Sequence, residues 1–170
     1  HPSSYFIFSL EVNVISGLMK DIGALLPSSF ERSITTTLFK IPICIAAKPM
    51  PGAFELLEHL QEKGVNLGIL TRNVMPVALQ TLKTCNLDGF FTANNILDRA
   101  SCEPKPHPAG IVLLLDQWRA KPSDSVMVGD YLFDLEAGKA ANIATVHIDT
   151  SAQHPWPHMT DWGINHLHQL

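Results

Sequence analysis

The sequence lacks most of the features that would place it in a special class. No apolar run approaches the ~20 residues that span a bilayer, and no signal peptide is visible from His1 onward. The first residue is His rather than Met, so residues upstream are expected. Cysteine is scarce. Cys44, Cys85 and Cys102 form an odd set with no C-x-x-C pair, so reduced thiols in a cytoplasmic protein are expected. Basic charge is also thin, with 12 Lys and Arg against 16 Asp and Glu and a net charge of −4. That balance offers no footprint for nucleic acid or for an anionic membrane. A phosphate-bearing substrate would therefore be held by a few placed groups rather than by a basic surface. Internal repeats and low-complexity tracts are absent as well.

What remains is an ordinary globular composition, 46% apolar over 170 residues, enough for one domain with a substantial core. Tyr5-Phe6-Ile7-Phe8 reads as a buried strand ending near Ser9. From Ser16 to Lys40 the period becomes helical, with Leu18, Met19, Ile22, Leu25 and Leu26 on one stripe and Pro27 breaking it. Pro51 opens a helix with Phe54, Leu57 and Leu60 on one face and Gly64 as its stop. A strand over 65–70 delivers Thr71-Arg72-Asn73. A helix from about Pro76 follows, and Phe90-Phe91 begins a short strand. Pro108 starts a helix striped by Ile111, Leu114, Leu115 and Trp118. Val126-Met127-Val128-Gly129 is a strand, Asp134 to Ala141 a helix, and Ala144 to Ile148 the last strand. The tail from Thr160 to Leu170 reads as a short final helix. Alternating strands and helices predict an α/β fold: a Rossmann-like three-layer sandwich, its sheet mostly parallel.

Asp130 and Asp134 follow the 126–129 strand at a position where open α/β sheets bind ligands. Two acids at one strand tip repel unless a cation or proton lies between them, which points to a divalent metal. The plainer reading is that Asp130 caps the next helix and Asp134 sits near its positive end. Thr71 and Lys105 lie in loops beside other strand tips. A hydroxyl, an ammonium and a metal-binding acid pair together match a phosphoryl group, whose charge is spread over several oxygens. Each has an everyday alternative: an N-cap, a solvated lysine, stiffening prolines. His154 and His158 flank Pro155 and Pro157, and His166 and His168 would diverge on a helix, so all four are expected at the surface rather than on a metal.

The order T-R-N after a strand, K-P-H-P in a loop and V-G-D-Y-L-F-D after another strand resembles the haloacid dehalogenase superfamily. The similarity is to its phosphoglycolate-phosphatase-like branch, and T-D-W-G-I-N-H-L-H-Q-L is similar to that branch's closing segment. The resemblance implies Mg²⁺-dependent hydrolysis of a small phosphate monoester. Thr71, Arg72, Asn73 and Lys105 would hold the phosphate, and Asp130, Asp134 and Glu11 would hold the metal. The implied partner is a small phosphorylated metabolite, bound by a monomer or homodimer. The core would comprise residues 1–16 and 48–170, with a reduced helical cap over 17–47. Receiver domains share Asp, Thr and Lys, but their acids come first in the chain. A hydrolytic dehalogenase needs no metal, which the Asp130/Asp134 pair argues against.

The departure lies in the first motif, D-x-D-G-T in the family. Here Ser9 stands at the nucleophile and Glu11 at the acid/base, with Val12 for Gly and Asn13 for Thr. A serine without a base is a poor nucleophile and removes one negative metal ligand. Two further readings stay open: residues 5–16 belong to the insertion and the true motif lies upstream, or the fold is kept as a phosphate- or partner-binding domain without turnover.

Overall fold

A computed structural model describes residues 4–10 and 47–170. The expected cap over 17–47 and the candidate Glu11 therefore lie almost wholly outside the described residues. Strands β1 (Tyr5–Ser9), β2 (Asn66–Leu70), β3 (Ile96–Leu97), β4 (Ser125–Gly129), β5 (Ala144–Ile148) and β6 (Trp162–Ile164) form one sheet in the order β3-β2-β1-β4-β5-β6. Every pairing is parallel.

Helices α1 (Ala53–Glu62), α2 (Met75–Thr84), α3 (Ala109–Trp118) and α4 (Leu132–Ala140) cover the two faces. One core gathers Leu56, Leu57 and Leu60 of α1 and Ala78 and Leu82 of α2 over Ile69, Val128 and Val146. The other gathers Ile111, Leu114 and Leu115 of α3 and Ala137 of α4 over Ile7, Leu70 and Met127. Alternate residues of β1 thus feed opposite cores, as the two-residue period of a strand requires. The result is the three-layer α/β sandwich read from the sequence.

Tyr5–Ser9 pairs with both β2 and β4 at the centre of the sheet. Its residues are core strand, not insertion. Chain order reverses here: β2 and β3 extend the sheet to one side of β1, β4 to β6 to the other. Such a switch point opens a crevice outside the carboxyl ends of the strands, and Ser9 and Gly129 end the two strands that flank it.

Several local expectations need correction. The inward face of α1 is Ala53, Leu56, Leu57 and Leu60, while Phe54 is 46% exposed and meets Phe90 edge-on at 5.2 Å. Residues 88–90 form a 3₁₀ turn, and the strand starts only at Ile96. The tail is not a helix. Trp162–Ile164 pairs with Val146–Ile148, and only Leu167–Gln169 curls into a 3₁₀ turn. Sheet pairing there outweighs the weak helical period, since Ile164 and Leu167 are buried without one and Leu170 is exposed.

Candidate functional site

Lys105 sits in the loop between β3 and α3, 3% exposed, and reaches the tip of β1. Its Nζ donates to Ser9 Oγ at 2.7 Å and pairs with Asp134 Oδ1 at 2.7 Å. Burying an ammonium and a carboxylate is tolerable only when both are matched, and the second oxygen of Asp134 accepts the Tyr131 N–H at 3.1 Å. Asp134, in the first turn of α4, turns one oxygen to this lysine and the other to its helix start. The plain capping reading of Asp130 fails, because Tyr131 occupies the N-cap.

Gly129 makes this approach possible. A Cβ there would overlap the Asp134 carboxyl group. Asp130 follows at the strand tip, half-buried.

Thr71 follows β2 and is 2% exposed. Its N–H donates to the Leu97 carbonyl at 2.9 Å, its hydroxyl donates to the Leu10 carbonyl, and the same hydroxyl accepts the Asn73 N–H at 3.1 Å. These bonds hold the exits of β1, β2 and β3 together. Asn73 is buried, and the exposed Arg72 guanidinium lies 5.2 Å over the Phe133 ring. Ser9, Thr71 and Lys105 are thus brought to one end of the sheet, linked through the short Ser9–Leu10 step, with Asp130 and Asp134 at the neighbouring tip.

Two groups escaped sequence reading. Asp98, 8% exposed, accepts the Met75 N–H at the start of α2 (2.9 Å), the Ala100 N–H (3.1 Å) and the Ser101 hydroxyl (2.7 Å). Burial pushes its carboxyl up, but these bonds outweigh that and hold it below the usual carboxylate range. The D-x-x-S pattern at Asp98 carries no sequence sign of a cap for a helix 23 residues away. The second group pairs His147 with His154. His154 is not a plain surface residue, because its ring meets His147 and Asn165. His166 and His168 do not diverge, since their rings stack at 5.2 Å outside any α-helix. The expectation that all four tail histidines simply face solvent fails for His154.

The α/β sandwich thus brings a threonine, a buried lysine and an acid to adjoining strand tips. Residues 31–148 match the haloacid dehalogenase-like hydrolase family, and the chain belongs to that family. The pyrophosphatase PpaX of Bacillus pumilus is 36% identical over 94 residues, covering 55% of this chain and 43% of the relative. PpaX of Anoxybacillus flavithermus is 37% identical over 95 residues, covering 56% and 44%. The matched stretch spans less than half the length of these curated relatives. Among solved structures, a predicted phosphoglycolate phosphatase from Haemophilus somnus has a TM-score of 0.63 at 26% identity, covering 69% of this chain and 53% of that one. A HAD family hydrolase from Deinococcus radiodurans, solved with bound phosphate and sodium, shares the fold, with a TM-score of 0.77 at 15% identity over 99% of this chain and 93% of that one.

Proposed function

We propose that this chain is a Mg²⁺-dependent phosphatase domain for a small phosphate monoester, slowed by Ser9 at the nucleophile position. The observation that carries this reading is the Lys105 ammonium, held 2.7 Å from both Ser9 Oγ and Asp134 Oδ1 at the switch point of the sheet. A phosphoryl group entering there meets a fixed cation, and the Thr71 hydroxyl at the neighbouring tip would donate to it only by releasing the Leu10 carbonyl. Arg72 and Asn73 complete the phosphate-binding turn. Asp134 acts by fixing Lys105 rather than by ligating metal.

The donor set suits Mg²⁺, which takes one or two carboxylates together with substrate phosphate and water. Asp130 would hold it, with Glu11 as a second carboxylate. Bound there, the ion supplies positive charge to the phosphoryl oxygens. Ser9 is poorly armed. Its oxygen accepts from an ammonium that, while charged, takes no proton, and no described base stands beside it. The free thiols Cys85 and Cys102 suit a reducing, cytoplasmic setting. No helix among the described residues is long and apolar enough to cross a membrane. We take the working unit to be a monomer or homodimer.

The test is Mg²⁺-dependent release of phosphate from an aryl phosphate by this chain and by Ser9→Asp. The expected result is slow turnover that rises on the order of 10³-fold or more with the carboxylate restored. Silence in both would overturn the phosphatase reading and leave the second one, phosphate binding without turnover, which the serine itself favours.

A further inference from the structure

A second cluster lies at the end of β5, outside the groups assigned to phosphate. His147 is 1% exposed, and its Nδ1 lies 3.2 Å from Nδ1 of His154. Burial holds the His147 pKa below the ordinary histidine value, which favours the neutral ring. With its hydrogen on Nε2, a neutral His147 ring turns a lone pair at Nδ1 toward His154. On the far side of the pair, His154 Nε2 lies 3.0 Å from Asn165 Oδ1. An amide oxygen only accepts, which puts the His154 hydrogen on Nε2 and a lone pair on its Nδ1 as well. Two such lone pairs this close repel unless a cation or a proton lies between them.

The spacing selects among cations. Tetrahedral zinc with Zn–N bonds of about 2.0–2.1 Å sets two nitrogen ligands about 3.3 Å apart. A third donor is at hand, because one ligand atom each from His147, Asp149 and His154 lies within 4.8 Å of the others. Asp149 accepts hydrogen bonds from the Ser151 hydroxyl and from the Ser151, Gln153 and His154 N–H groups, which hold its carboxyl well below the usual range. Such outer bonds orient a ligating carboxylate, and the Gln153 N–H, longest at 3.1 Å, is the one that yields. The surroundings are shaped for the rings. A Cβ on Gly163 would come within 3.0 Å of the His154 imidazole, and Trp156 covers His147 at 5.1 Å.

We propose that His147, Asp149 and His154 form a zinc site with its fourth position open to water. Two imidazoles and one carboxylate suit Zn²⁺ rather than Mg²⁺. The ion would fasten the segment after β5 to the end of that strand. This inference stands independently of the phosphatase reading.

The test is calorimetric titration of ZnCl₂ into the full chain, with Co²⁺ absorption reporting coordination geometry. We expect one equivalent of Zn²⁺, intense tetrahedral Co²⁺ bands, and at least tenfold weaker binding in both His154→Ala and Asp149→Asn. His158→Ala, which removes an exposed histidine outside the cluster, should bind zinc as the parent does. His154 is a half-buried loop residue, and circular dichroism of its variant checks that the fold persists. Absence of zinc binding would overturn the proposal. Binding that survives both His154→Ala and Asp149→Asn would overturn it too, by placing the zinc elsewhere on the chain.

Discussion

Gly129 and Lys105 show how closely the candidate site depends on single atoms. The Asp134 carboxyl occupies the space that a Cβ at 129 would need. Gly129→Ala is therefore expected to destabilise the chain by about 1–3 kcal/mol, the usual cost of overpacking, and to weaken phosphate binding by shifting Asp134 off Lys105. Urea unfolding and phosphate titration check the two effects. Lys105→Met leaves the Asp134 carboxylate, 2% exposed, without its cation. Breaking a buried pair in this way costs about 3–5 kcal/mol. The double variant Lys105→Met/Asp134→Asn should recover much of that stability while still failing to bind phosphate. Equal stability of the single and double variants would show that the pair is not coupled.

At the scale of elements, α2 depends on a cap supplied from 23 residues away, where Asp98 accepts the Met75 N–H. Asp98→Ala should cost about 1 kcal/mol, as loss of an N-cap does. The folded carboxyl sits below its ordinary value, so the bound form stabilises the fold above the unfolded-state pKa of about 3.9. That contribution is lost as pH falls through the lower folded value. Asp161 acts in the same direction, held down by Lys139 at 2.5 Å and by Thr145. Melting temperatures measured from pH 7 to pH 3 should fall less steeply below pH 4 in Asp98→Asn than in the parent chain. The strands ending at Leu70 and Gly129 were legible in the sequence because each is a continuous apolar run closed by a polar turn. The two-residue β3 and the edge strand β6 were not. Neither is long enough to show a period, and pairing with a neighbour, rather than local preference, makes them strands. The Asp98 cap and the His147–His154 pair were hidden for a related reason: each joins a loop to the end of a strand or helix that it meets only after folding.

Across the whole molecule, the switch point between β1 and β4 turns scattered residues into one crevice. Its polar groups could be named in advance because their order along the chain, Thr71, Lys105, Asp130, Asp134, is a pattern in itself. The geometry could not be named. That Lys105 spans from Ser9 to Asp134 follows from the loop's path over the sheet, which no spacing encodes. Family membership accounts for the fold and the strand tips, while the serine at the end of β1 sets this chain apart from the motif it otherwise resembles. The most direct test of the central claim, that these strand tips form one phosphate pocket, is calorimetric titration of inorganic phosphate in the presence of Mg²⁺. The account predicts a single site, weakened at least tenfold in Thr71→Val and in Lys105→Met/Asp134→Asn. Absence of binding, or binding that both variants leave unchanged, would contradict it.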